Sequence, residues 1–118
     1  MNASDPKGQI KPHSYKLLDP TLYKYRIGQD LVSWYAARWG WSGLGHTPQE
    51  VAAILGLEEG TFYERRQNFD YLHDPAKPRN HPAQMSVRVH ALFGHLSEEE
   101  LRPWALLVLA SYRAGVPI

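Results

Sequence analysis

The sequence predicts a single all-α domain of about five helices. Three observations carry that expectation. Apolar residues recur at three-to-four-residue spacing in several stretches, the period of a helix face. Three tetrads or dyads with helix-start chemistry precede such stretches: Asp19-Pro20, Thr47-Pro48-Gln49-Glu50 and Ser97-Glu98-Glu99-Glu100. No stretch alternates in the two-residue period of a half-buried strand. A chain of 118 residues and 13.5 kDa has room for one core, and at this length roughly two-thirds of the unfolded surface can be buried.

Residues 1–18 are polar, contain Pro6, Gly8 and Pro12, and show little periodicity, so they read as a flexible basic arm ahead of a helical domain over 19–118. Asp19 can cap a helix whose first position is Pro20. From there Leu22, Tyr25, Ile27, Leu31, Val32, Trp34, Tyr35 and Trp39 follow helical spacing, with Gly28 as a weak point, and the glycine-rich run Gly40 to Gly45 ends the helix. Thr47-Pro48-Gln49-Glu50 is a capping box: the Thr hydroxyl takes the Glu50 amide and the Glu50 carboxylate reaches back. The helix it opens breaks at Gly56. A second start at Glu58 runs to about Tyr71, and three prolines between His73 and Pro82 mark a loop. Met85, Val87, Val89, Leu92, Phe93 and Leu96 predict the next helix. Ser97 and Glu100 form a second capping box, and the last helix stops at Gly115 with Pro117 beyond, Pro103 being a candidate kink.

The formal net charge of +1 conceals an uneven distribution. Residues 1–26 carry Lys7, Lys11, Lys16, Lys24 and Arg26 against Asp5 and Asp19. Residues 76–96 carry Lys77, Arg79 and Arg88 with no acid. Residues 47–71 set Glu50, Glu58, Glu59, Glu64 and Asp70 against Arg65 and Arg66. The two basic segments suit a polyanion; the middle one by itself does not. With no Cys there is no disulfide, no thiol nucleophile and no Cys-containing zinc site. The longest apolar run, Trp104 to Ala110, is far short of the roughly 20 residues that span a bilayer, and no apolar signal segment follows Met1. A cytoplasmic protein is the expectation.

The segment Thr47 to Arg66, TPQEVAAILGLEEGTFYERR, resembles the helix-turn-helix family of DNA-binding domains. Ala52 or Ala53 supplies the small residue where two helices press together, Gly56 the turn residue that tolerates φ > 0, and Val51, Leu55, Leu57 and Phe62 the apolar clamps. Thr61-Phe62-Tyr63 is similar to the opening of recognition helices in transposase and small-terminase segments. The resemblance covers about 25 residues, 47–71. Arg65 departs from it, standing where the family places a buried apolar residue. The resemblance implies that the second helix enters the major groove, with Glu59, Gly60, Thr61, Glu64, Arg65, Arg66, Gln67 and Asn68 as candidate contacts to DNA. Arg65 or Arg66 would grip guanine, Gln67 or Asn68 adenine, and Glu64 cytosine. Lys11 and Lys16 of the arm, with Lys77, Arg79 and Arg88, would contact phosphates.

Other constellations are weaker. His73, Asp74, His81, His90 and His95 lie close in sequence, but His90 and His95 are five apart, off one helix face, and surface histidines are the expectation, with no metal or other cofactor. No nucleophile elbow, phosphate loop or dinucleotide fingerprint occurs, so no enzyme is expected. Trp34, Tyr35, Trp39 and Trp41 crowd one helix end, to pack against the last helix or to form a partner surface. Trp104 to Ala110 is apolar on nearly every side, which calls for burial all round and predicts a homodimer through the C-terminal helix. The combined expectation is sequence-specific duplex DNA binding, by a small transcriptional regulator or a phage or mobile-element protein. The competing one is a protein-binding adaptor or inhibitor using Trp39, Trp41 and Trp104. Arg65, Arg66, Lys77 and Arg79 on one face would mark the first, Trp39 and Trp41 exposed together the second.

Overall fold

A computed structural model describes residues 25–74 and 83–118. Five helices occur among them and no strand: α1 (Ile27–Trp39), α2 (Pro48–Leu55), α3 (Glu59–His73), α4 (Gln84–Phe93) and α5 (Glu98–Arg113), with a 3-10 turn at Ser42–Leu44. The arm 1–18 and the cap at Asp19 lie outside the described residues.

Helix α1 is the hub. It packs against α3, α4 and α5, while α2 bridges α3 and α5, and α4 rests on α3. The helix begins later than its apolar spacing suggests. Arg26 is extended (φ −92°, ψ 159°), and its N–H donates to the Gln29 side chain at 2.7 Å, so the turn starting at Ile27 is a new helix and not the continuation of one begun at Asp19. Gly28 is needed for space. A Cβ there would stand 2.8 Å from Val108 of α5, and its N–H donates to the Ile118 carbonyl at 3.0 Å, which ties the chain terminus to α1.

Both capping boxes form. The Glu50 N–H donates to the Thr47 hydroxyl (3.1 Å) and the Thr47 N–H to the Glu50 carboxylate (2.9 Å); Ser97 and Glu100 repeat the exchange at 3.2 and 2.9 Å. Gly56 closes α2 in the left-handed region at φ +72°, and Gly115 follows α5 at φ +80°. Pro103 is the sixth residue of α5 and has no amide to donate to the Glu99 carbonyl one turn back.

The core takes Leu31, Val32, Trp34, Tyr35, Leu44, Val51, Leu55, Phe62, Phe69, Val89, Leu101, Val108 and Leu109. The tryptophan cluster resolves into separate roles. Trp34 is buried, with Phe69, His73 and His90 at ring-centroid distances of 5.6, 5.4 and 5.2 Å, so it packs mainly on α3 and α4. Tyr35 points the other way, towards α5. The last helix is not buried all round. Leu101, Ala105, Val108 and Leu109 face the core, whereas Trp104, Leu106 and Leu107 are 50%, 41% and 57% exposed. The reason is geometric: α1, α2 and the 3-10 turn cover one side of α5, while on the other Trp104 meets only one face of the Phe93 ring and Leu106 and Leu107 stay exposed.

Candidate nucleic-acid interface

Helices α2 and α3 are joined by Gly56, Leu57 and Glu58. Val51, Ala52, Leu55 and Phe62 are buried where the pair meets the core, and the Leu57 N–H closes back on the Ala52 carbonyl at 2.9 Å. Glu58 makes no side-chain cap, so the first amides of α3 point outward without a side-chain acceptor. Between the two helix N-termini lies an open groove of about 330 Å3, lined by Pro48, Gln49, Glu59, Gly60, Phe62, Tyr63 and Arg66.

The candidate contacts divide by face. Glu59, Gly60 and Glu64 are exposed, and Thr61, Arg66 and Gln67 are half-buried. Arg65 and Asn68 are buried, at 7% and 2% exposure, and cannot reach a base. Arg65 points at α1. Its Nε donates to Asp30 Oδ1 and its Nη2 to Asp30 Oδ2, both at 2.7 Å, and the Tyr25 ring lies 4.5 Å from the guanidinium carbon. Ser86 of α4 completes the network. Its hydroxyl donates to Asp30 Oδ2 (2.7 Å) and accepts from Arg65 Nη2 (3.3 Å) and Asn68 Nδ2 (3.2 Å), which uses its one proton and both lone pairs. Arg65 is thus interior, with its charge neutralised by a network that joins three helices.

Arg66 does lie on the groove side. Its guanidinium carbon is 4.9 Å from the Trp41 ring, 5.0 Å from Phe62 and 5.4 Å from Tyr63, and its Nε makes no hydrogen bond. Burial pushes the Arg66 pKa below the usual guanidinium range, countered by Tyr63 and Asp70. Tyr63, 54% exposed on the outer face of α3, was not among the sequence candidates, although its place beside Phe62 at a helix start was the signal for it. Asp30 was missed as well. A lone acid within the apolar stripe of α1 is the sign that could have exposed it.

Lys11, Lys16, Lys77 and Arg79 lie outside the described residues, as does every lysine of the chain. The described residues hold seven Arg against ten Asp and Glu, so the helical body is acidic and the basic charge resides in 1–24 and 75–82. Arg88 is exposed on α4. Trp39 and Trp41 do not stand exposed together: Trp39 packs on Tyr35 at 5.4 Å and Trp41 on Phe62 at 5.2 Å, both half-buried. Trp104 alone of the three is open to solvent, one side of it against Phe93 at 6.0 Å. Among the described residues no group of three or more His, Asp or Glu is placed to hold a metal ion, and no helix is long and apolar enough to cross a membrane. The chain matches no protein-family model, no curated protein and no solved structure.

Proposed function

We propose that this protein binds duplex DNA, with α3 in the major groove, as a small transcriptional regulator or a phage or mobile-element DNA-binding protein. One observation carries the reading. The α2–turn–α3 unit closes through left-handed Gly56 with Val51, Leu55 and Phe62 buried and Leu57 half-buried, and it leaves the N-terminal turn and outer face of α3 open. The base-reading set is then Thr61, Tyr63, Glu64, Arg66 and Gln67. Gln67 pairs with adenine, Glu64 accepts from cytosine N4, and Arg66 takes guanine. Arg65 and Asn68 have a different task, holding α3 against α1 and α4.

Charge divides the work further. Glu58, Glu59, Glu64 and Asp70 around α3 repel phosphates, so sequence-independent affinity rests on Lys11, Lys16, Lys77, Arg79 and Arg88. Of the surface that the adaptor reading names, Trp104 is open to solvent, while Trp39 and Trp41 are half-buried against Tyr35 and Phe62.

The experiment is fluorescence anisotropy of the full chain with mixed-sequence duplex DNA, titrated from low to physiological salt, followed by selection of a preferred site. Affinity that falls steeply with salt is expected. On the selected site, Gln67→Ala should lose roughly 1–3 kcal/mol of discrimination at one base, and Lys11→Ala should weaken all sequences alike. No binding even at low salt overturns the reading.

A further inference from the structure

The outer side of α5 has a pattern that the DNA reading does not use. From Pro103 to Tyr112 the helix carries no charged side chain, although half of it faces water. The outward positions recur at spacings of four, three, four and three: Glu99, Pro103, Leu106, Ala110 and Arg113, every one of them exposed. That is the repeat of a helix seam that packs on another helix. Its middle is apolar or small, one end is acidic and the other basic. The Glu99 side chain makes no hydrogen bond or ion pair among the described residues. Arg113 meets His46 Nε2 at 2.9 Å and has no carboxylate partner there.

We infer that α5 pairs with α5 of a second copy of this chain, antiparallel about a two-fold axis at Leu106. The charge order selects this occupant. Reversing a copy of the helix about Leu106 brings Glu99 over Arg113 of the other copy, and does so twice, at the two ends of a seam roughly 21 Å long. A parallel pairing would set Glu99 on Glu99 and Arg113 on Arg113. Ala110 and Pro103 flank the centre with little bulk and let the axes approach, while Leu107 and Trp104 extend the contact on the α4 side. Placing apolar side chains of 41–57% exposure in such a seam removes them from water without disturbing the core residues on the opposite face of α5.

The pairing is independent of DNA binding and is tested without DNA. Light scattering after gel filtration should give twice the 13.5 kDa chain mass at micromolar concentration. Leu106→Glu puts two carboxylates at the axis and should raise the dimer dissociation constant ~100-fold or more, with an unchanged helical circular dichroism spectrum because Leu106 lies outside the core. Glu99→Arg and Arg113→Glu should each weaken the dimer ~10-fold, and the double variant should recover it. Because the chain has no cysteine, Leu106→Cys should form a disulfide with its own copy under mild oxidation, whereas Gln84→Cys on α4 should not. A monomer at all concentrations overturns the inference. A dimer that Leu106→Glu leaves intact, or whose charge reversals do not rescue one another, overturns it as well.

Discussion

Arg65 and Asp30, 35 positions apart, meet in a two-point ion pair, each of two guanidinium nitrogens 2.7 Å from a separate carboxylate oxygen, in the interior between α1 and α3. Two ions are drawn out of water there, and each is tolerable only because the other is present. The pair sets the rotation of α3 about its own axis. With Arg65 held inward, Glu64 and Gln67 are turned towards the surface.

Removing one partner should therefore cost far more than removing both. Asp30→Ala strands a buried guanidinium and is expected to lower stability by about 3–5 kcal/mol, read as the shift of a urea unfolding midpoint. The pair Asp30→Leu with Arg65→Met, which leaves no buried charge, should lose clearly less. Arg65→Ala should behave as a stability variant and not as a loss of base preference. A fully stable Arg65→Ala protein would remove the ion pair from any part in folding.

His90 should make stability fall on mild acidification. Burial beside Trp34, and secondarily the nearby His73, hold its pKa below the ordinary imidazole value. The unfolded chain therefore binds the proton more readily, and stability present above about pH 6.5 is lost as the pH falls through the unfolded value towards the folded one. Unfolding midpoints at about pH 7.5 and 5.5 should differ in the native chain and differ less in His90→Phe, whose ring keeps the edge contact with Trp34.

Tyr35 and Glu98 link the stability of α1 and α5 to pH at both extremes. The Tyr35 hydroxyl donates to Glu98 Oε2 at 2.5 Å, and Arg102 lies 2.9 Å from the same oxygen. The Tyr35 bond first, then Arg102, holds the Glu98 carboxyl below the usual range, so its contribution is present above about pH 4.5 and lost as the pH falls through the folded value. Burial, then the Glu98 bond, raises the Tyr35 pKa. Its contribution is complete below about pH 10 and lost as the pH rises through the folded value. Tyr35→Phe should flatten both limbs of a melting temperature profile, and Glu98→Gln chiefly the acid one.

Two glycines should resist alanine for different reasons. At Gly43 a Cβ would overlap the Tyr35 hydroxyl and crowd Glu98 and Arg102, so Gly43→Ala should cost about 1–3 kcal/mol and shift the acid limb with it. At Gly56 nothing stands within 4 Å, and only the backbone at φ +72° objects. Gly56→Ala should cost about 1–2 kcal/mol and Gly56→Asn less, since Asn enters the left-handed region more readily. Thermal unfolding of the three variants separates crowding from backbone strain. An Asn no better than Ala at Gly56 would contradict the conformational account.

Much of the fold was legible in the sequence because its determinants are local. The boxes at Thr47–Glu50 and Ser97–Glu100 span three residues each, and Gly56 and Gly115 mark helix ends by their own backbone preference. Five helices and their order follow from those signals and from apolar spacing. The start of α1 was misplaced because apolar residues before Tyr25 continue the spacing through Arg26, and spacing does not register a residue whose backbone is extended. The candidate site was legible to the level of its helices and not of its side chains. Gly60, Thr61, Glu64 and Gln67 fall on the open side of α3, while Arg65 and Asn68, charged and polar, do not.

The sequence by itself thus determined the order of the helices, the capping boxes of α2 and α5 and the turn between α2 and α3, since each depends on residues within one or two turns of one another. Only the tertiary structure decided that Arg65 faces Asp30 and Ser86, that Trp39 and Trp41 cover the body, and that Leu106 and Leu107 of α5 face away from the described helices. Those outcomes depend on which helix lies beside which. A charge enters a core only where a counter-charge from a distant segment waits for it, and an apolar face is covered only where another element comes to rest on it.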